Sequence, residues 1–220
     1  MLDSAEVREE FNRLGQRQGV VHLKDFARWG YISDVDWTEL CRRSADFAGV
    51  KDGDRVFEAG CGSGAFLAEV AGYRRVSMAG VDFAESLVAI AQSHLTGDFR
   101  VADITDLSSV AADTFDKVLS HGVFMYMASQ ADARRAALEM VRIARPGGVI
   151  YIGIVNDPDR QASYDHPPSG SFVLTRSFWR HLATEQGLTL KLVDQETIFS
   201  KPSGYDAYSR LRYSLLLGKP

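Results

Sequence analysis

Three acids stand where short apolar runs give way to turns: Glu58 in "VFEAGCGSG", Asp82 in "AGVDFAESLVAIA" and Asp103 in "FRVADITDL". A carboxylate that accepts two hydrogen bonds suits a vicinal diol, and charge-assisted bonds of this kind are roughly twice as strong as neutral ones. Glu58 precedes by two places a turn with glycine at Gly60, Gly62 and Gly64 around Cys61. Such a turn lacks Cβ atoms and leaves backbone N–H groups unsatisfied at a helix start, so a ligand can lie against bare backbone. Taken alone it reads as a pyrophosphate cradle, because a helix N-terminus attracts anions, and Gly60, Gly62 and Ala65 satisfy the G-x-G-x-x-A pattern. Glu58 points elsewhere: a carboxylate at the mouth of the turn repels phosphate and suits a ligand bearing ammonium or sulfonium charge. The plainer alternatives are a loop cap for Glu58, a helix N-cap for Asp82 and a turn former for Asp103.

The elements that must position these acids alternate along the chain. Helices are expected from Ser4 to Leu14, with Val7, Phe11 and Leu14 on one face, and from Asp36 (as N-cap) to Ala48, with the aromatic stretch "DFARWGYISDVD" between them. From Asp54 the order is strand "RVFEAG", helix from Gly64 to Ala71, strand "RVSMAGVDF", helix from Ala84 to Leu95, strand "FRVAD" and strand "FDKVLSHG". A helix from Gln130 to Ala144, the turn "RPGG" and strand "VIYIGIV" follow, then a Pro/Gly/Ser-rich loop, a helix from Thr175 to Gln186, strand "LTLKLVD", a polar loop and "SRLRYSLLLGK". This is α/β: a doubly wound, seven-stranded, mostly parallel sheet, closed by two strands that pair antiparallel at its edge because no helix separates them.

Size and composition admit one domain over residues 1–220, with residues 1–50 as an N-terminal helical lid. A net charge of −4 with scattered Lys and Arg argues against nucleic acid as partner. No apolar run reaches the ~18 residues of a membrane span, and the opening "MLDSAEVREE" lacks a basic start, so a cytoplasmic protein with no membrane partner is expected, monomeric or homodimeric. Cys41 and Cys61 read as small buried hydrophobes in a reducing compartment, and no metal is expected.

"VFEAGCGSG" resembles the first motif of the class I S-adenosylmethionine-dependent methyltransferases, whose acid contacts the methionine part of the cofactor. "AGVDFAESLVAIA" resembles their second-strand end, "FRVADITDL" the third, and "FDKVLSHGVFMYM" with "ARPGGVIYI" the fourth and fifth, in the same order. The resemblance implies a Rossmann-like methyltransferase fold and S-adenosyl-L-methionine as cofactor. It assigns Glu58 to the methionine portion, the glycine turn with Cys61 to close backbone approach, and Asp82 to both ribose hydroxyls with Phe83 beside it. Asp103 takes the adenine amino group, Ile104 supplies backbone N–H and apolar contact, and Ser120 lies nearby. Trp29 and Tyr31 are candidates to close over the sulfonium, or to be packing.

The resemblance further implies a small-molecule acceptor beyond the fourth strand. Its candidate contacts are Phe124 and Tyr126 in "SHGVFMYM", and Asn156, Asp157, Tyr164 and His166 in "NDPDRQASYDHPPSG". His121 is the candidate general base, because imidazole titrates near neutral pH, with a structural hydrogen bond as its alternative. The expected activity is methyl transfer to an oxygen or nitrogen of a metabolite, sugar or natural-product intermediate. An NAD-dependent oxidoreductase on the same turn, or a binding protein without catalysis, are the other readings. "SHGV" stands where base-flipping amino methyltransferases carry an NPPY-like tetrapeptide, which speaks against that class.

Overall fold

Five short runs rich in β-branched and small residues become the parallel strands β1 (Arg55–Ala59), β2 (Ser77–Asp82), β3 (Asp98–Val101), β4 (Phe115–His121) and β5 (Ala144–Asn156). β7 (Arg212–Gly218) pairs antiparallel with β5, and β6 (Thr189–Asp194) pairs antiparallel with β7. The sheet order is β3-β2-β1-β4-β5-β7-β6, the seven-stranded, doubly wound arrangement with an antiparallel pair at one edge. This computed structural model describes residues 4–27, 30, 32–161, 172–199 and 210–220. No helix among them is long and apolar enough to cross a membrane.

Alternate strand residues face opposite layers, so each strand feeds two cores. On one face Phe57, Val118, Ile150, Ile152, Leu215 and Leu217 meet α5 (Gln130–Ile143) and α7 (Arg176–Gln186). The buried stripe of α5, Ala133, Ala136, Ala137, Met140 and Ile143, uses small residues so that the helix lies close on the sheet, and Ser129 caps it by accepting the Asp132 N–H at 3.1 Å. Trp179 of α7 donates to the Tyr213 hydroxyl at 2.7 Å, and that hydroxyl donates to the Leu174 carbonyl, so both buried aromatic polar groups are satisfied. The other face carries α2 (Asp34–Phe47), α3 (Ala65–Ala71) and α4 (Glu85–His94), packed on Val56, Leu119 and Tyr151.

α2 starts two residues earlier than the sequence reading places it. Ser33, not Asp36, is the N-cap: its hydroxyl accepts the Asp36 N–H at 3.2 Å. Trp37, Leu40, Cys41 and Ala45 are buried in the second core, so α2 is a structural layer rather than part of a lid. Among the described residues α1 (Ser4–Gly15) gives none to either core, and a 3-10 turn at Leu23–Ala27 lies between it and α2.

Two departures occur at the carboxyl edge of the sheet. A bulge between Ile152 and Val155 puts Ile154, a β-branched residue, at φ +62°, and its N–H is caught by Ser214 Oγ at 3.1 Å while Ser214 donates to Gln195 Oε1 at 2.6 Å. Gln195 opens a short helix, α8 (Gln195–Ile198), in the connection read from sequence as a plain polar loop. A second short helix, α6 (Pro158–Gln161), follows β5.

Candidate functional site

The carboxyl ends of β1, β2 and β4 meet at the glycine turn. Gly60, Gly62 and Gly64 have φ of +79°, +51° and +79°, the left-handed region that glycine adopts without strain. A Cβ at Gly60 would stand 2.6 Å from Val123 Cγ2, so the turn needs glycine for space as well as for conformation. The Gly60 and Cys61 N–H groups both reach the Val81 carbonyl, at 2.8 and 2.9 Å, seating the turn on the end of β2. Cys61 is buried beside Gly80 and is a packing group.

Asp82 is 7% exposed and locks this arrangement. Its Oδ2 accepts the Gly62 N–H at 2.9 Å and its Oδ1 the Ala84 N–H at 2.8 Å. An ionised carboxylate has about four lone-pair positions, so these bonds leave capacity for a ligand hydroxyl. Burial lifts the Asp82 pKa from 3.8 to about 6, with the Ala84, Gly62 and Phe83 N–H groups pulling the other way. Glu58 is 2% exposed, and among the described residues its Oε2 has no hydrogen-bond partner. Burial first, and then the charge of Asp82, push its pKa well above the ordinary carboxylate value.

Two buried acids on neighbouring strands, one with an orphaned oxygen, stand beside a cradle that a Cβ would fill, and as acceptors they suit a cationic, hydroxylated partner. The residues fit an adenosyl sulfonium with an ammonium group. They do not fit a pyrophosphate, which Glu58 would repel.

Asp103 is exposed, and its Oδ1 closes a turn by accepting the Thr105 N–H at 2.9 Å and hydroxyl at 2.8 Å, while the Ile104 side chain is buried in the first core. Phe83 is half-buried at the end of β2. Ser120 is fully buried and donates to the Ala59 carbonyl at 2.9 Å, so its hydroxyl ties β4 to β1 rather than facing the crevice.

Several acceptor-side expectations meet a different arrangement. His121 is 5% exposed, stacked on Phe66 with centroids 4.5 Å apart, with the Trp37 edge on it and Nδ1 3.4 Å from the Tyr151 hydroxyl. Burial, and then the charge of Arg212, push its pKa from 6.5 down to about 3, so the ring is neutral and a poor proton acceptor at neutral pH. The geometry matches a structural histidine better than a base. Phe124 is core, packed on Trp179 at 5.5 Å. Asn156 donates to the Phe172 carbonyl and accepts from Arg212 Nε, and Asp157 is buried in an ion pair with Arg176 at 2.8 Å, so both hold the chain after β5 in place. Tyr126 is half-buried, packed against the second core and edge-on to the Phe11 ring. Trp29, Tyr31, Tyr164 and His166 lie outside the described residues.

Sequence reasoning passed over Phe11, Asn12 and Ser86. The Phe11 ring meets Phe83 edge-on at 6.0 Å and Tyr126 edge-on at 5.2 Å, and Asn12 accepts hydrogen bonds from the Ser86 N–H and hydroxyl. The stripe Val7, Phe11, Leu14 was the available signal, but a stripe does not name the surface it covers.

The family model described as a methyltransferase domain matches residues 57–152, the span from Glu58's strand to the middle of β5. The chain is 33% identical over 141 residues to erythromycin 3''-O-methyltransferase of Saccharopolyspora erythraea, covering 59% of this chain and 44% of that protein. It spans less than half the length of the first curated relatives it matches. Among solved structures it resembles magnesium protoporphyrin IX methyltransferase from Synechocystis PCC 6803, solved with bound S-adenosylmethionine, at TM-score 0.64 and 16% identity over 100% of this chain and 99% of that one. It also resembles the cyclase SpnF, at TM-score 0.67 and 18% identity over 99% and 96% of the two chains. At these identities the structural likeness establishes the fold alone. The fold itself differs from the classic dinucleotide-binding order 3-2-1-4-5-6, because the antiparallel β7 is inserted between β5 and β6.

Proposed function

We propose that the chain is a class I S-adenosylmethionine-dependent methyltransferase that moves the cofactor's methyl group to an oxygen of a small-molecule acceptor. The observation that carries this reading is the buried pair Glu58 and Asp82 at the glycine turn, a negative pocket with an orphaned oxygen. Oxygen is favoured over nitrogen because the curated relatives are named as O-methyltransferases. A metabolite or natural-product intermediate suits the antibiotic and ubiquinone pathways in those names.

In this reading Glu58 holds the ammonium of the methionine portion, the remaining lone pairs of Asp82 take the ribose hydroxyls, and the bare backbone of Gly60 and Gly62 lets the ligand approach. Asp103 and Ile104 flank the adenine. The chemistry supplied by bound S-adenosylmethionine is an already activated methyl, so the protein's task is alignment and exclusion of water. Alignment of two reactants supplies several kcal/mol, up to about 7–11 in well-oriented cases. Tyr126 lines the acceptor side. His121, whose buried ring has its pKa pushed down to about 3, is a poor acceptor for the proton; Tyr164 and His166 keep, as an expectation, the substrate contacts that the sequence reading gave them.

A second reading, cofactor binding without methyl transfer, draws on the fold neighbour named as a cyclase, since one fold hosts several chemistries. Incubating the protein with methyl-labelled S-adenosylmethionine and a panel of phenols, sugars and polyketide-like alcohols separates the two. Labelled product is expected from at least one hydroxylated acceptor. Tight binding of the cofactor with no transfer across the panel would favour the second reading.

A further inference from the structure

We propose that Arg176 is a positioning residue for the acceptor side: through Asp157 and Asp194 it ties the connection between β5 and α7 to the connection between β6 and β7, so that their ends act as one unit. The acceptor part of this inference rests on the methyl-transfer reading above, and the coupling does not. Arg176 stands where local rules would not put it. Thr175 caps α7 by accepting the Phe178 N–H at 3.2 Å, which makes Arg176 the first residue of the helix. The positive end of a helix dipole favours an acid there rather than a guanidinium. The partners of Arg176 supply the reason for it. Its Nε donates to Asp157 Oδ2 at 2.9 Å, its Nη2 donates to Asp194 Oδ1 at 2.6 Å, and its guanidinium carbon lies 5.1 Å from the centre of the Tyr213 ring.

These contacts pin both ends of both connections. Asp157 and Arg160 begin the first and Arg176 ends it, while Asp194 begins the second and Arg210 lies just before β7. Arg160 donates to the other oxygen of Asp194 at 2.5 Å and to the Arg210 carbonyl at 3.1 Å. The backbone repeats the pattern, because the Asp157 N–H donates to the Leu211 carbonyl at 2.9 Å. Asn156 joins the same ends: it donates to the Phe172 carbonyl at 3.1 Å and accepts from Arg212 Nε at 3.3 Å. The Phe172 N–H donates in turn to the Met125 carbonyl at 2.9 Å, which fastens the first connection to the segment after β4 that carries Tyr126. Burial decides which of the ion pairs matters. Arg160 and Asp194 have side chains 35% and 34% exposed, and pairs of that kind contribute little. Asp157 is 2% exposed, so loss of Arg176 leaves a buried carboxylate without that cation, which is costly.

Coupling is reciprocal, so a substitution in one connection must be felt in the other. Residue-resolved amide hydrogen exchange on the full chain reads this, with Phe172 and Leu174 reporting the first connection and Phe199, whose N–H donates to the Gln195 carbonyl, reporting the second. Arg176→Met is expected to speed exchange at Phe199 as well as at Phe172 and Leu174 by about tenfold, while Gly60 and Cys61 at the glycine turn change by no more than about threefold. Asp194→Asn leaves the Arg176 pair with Asp157 in place, is expected to speed exchange at Phe172 and Leu174 from the other side, and carries the test if Arg176→Met does not fold. Acceleration confined to the connection that bears the substitution would overturn the coupling, and so would equal acceleration at Gly60 and Cys61, the mark of a general loss of stability. With an alcohol from the panel above that the wild-type protein methylates, Arg176→Met is expected to raise the acceptor KM by about tenfold, with kcat and S-adenosylhomocysteine affinity within about threefold of wild type. An unchanged KM would overturn the acceptor role. If no panel member is methylated, the methyl-transfer reading and the acceptor role fall together, and the exchange measurement still decides the coupling.

Discussion

Asp82 Oδ2 accepts the Gly62 N–H at 2.9 Å, so the acid that closes β2 holds the second glycine of the turn that ends β1. Its other oxygen holds Ala84, at the start of the next helix. One buried carboxylate thus shapes the pocket and, in the proposed function, binds the ligand in it.

Asp82→Ala is expected to weaken S-adenosylhomocysteine binding by about 1.5–3 kcal/mol, the worth of hydrogen bonds to a charged group, and to lower the melting temperature through the freed backbone N–H groups. The pH dependence follows from the pKa of about 6 in the ligand-free protein. A ligand that donates hydroxyls to Asp82 favours the ionised form, so binding releases a proton below about pH 6 and tightens as pH rises from 5 to 7. Titration calorimetry in buffers of different ionisation enthalpy reads that release, and Asp82→Ala should lose its Asp82 component.

Glu58→Gln tests the buried charge. Glu58 has its folded-state pKa raised, so its penalty on stability is absent at low pH and grows as pH climbs above the ordinary carboxylate value. The variant should melt higher than wild type at pH 7, and the advantage should shrink as pH falls toward 4.5. The same substitution should weaken S-adenosylhomocysteine binding at pH 7, by about tenfold or more, because a charge-assisted partner for the ammonium is gone. Unchanged affinity would remove Glu58 from the site.

Gly60→Ala combines two obstacles, a φ of +79° and a Cβ 2.6 Å from Val123 Cγ2. A loss of about 1–3 kcal/mol in stability is expected from the strained conformation alone, with the clash added to it. The double variant Gly60→Ala/Val123→Ala should recover the steric part and leave the conformational part, which denaturant unfolding of the four proteins in the cycle measures. Full recovery would show that space, not backbone conformation, selects glycine here.

His121 should behave as a neutral ring. With a pKa near 3, its imidazole resonances should stay constant above pH 5 in a nuclear magnetic resonance titration. A midpoint near 6.5 would restore it as a candidate base.

Much of this architecture could be read from residue patterns, and the failures have a common cause. The strands were visible because β-branched runs between glycine turns admit few alternatives, and α5 and α7 because their caps and stripes are local. Glu58, Asp82 and the glycines could be placed together because strand ends and a glycine turn are local features of the sequence. Asn156, Asp157, Phe124 and Ser120 were misplaced because their partners, Arg212, Arg176, Trp179 and Ala59, are distant in sequence, so nothing local distinguishes a buried structural group from a pocket wall. His121 failed for the same reason: its pKa is set by Phe66, Trp37, Tyr151 and Arg212, which only the fold assembles. The packing of α1 was half legible, since its apolar stripe was evident but the contact of Phe11 with both Phe83 and Tyr126 was not.

Paired calorimetric titrations of the wild-type protein with S-adenosylhomocysteine and with NAD address the central claim most directly. Micromolar binding of the nucleoside thioether and none of the dinucleotide is expected, because the buried acids beside the glycine turn accept ammonium and hydroxyl groups and repel pyrophosphate. Binding of NAD, or of neither, would contradict it.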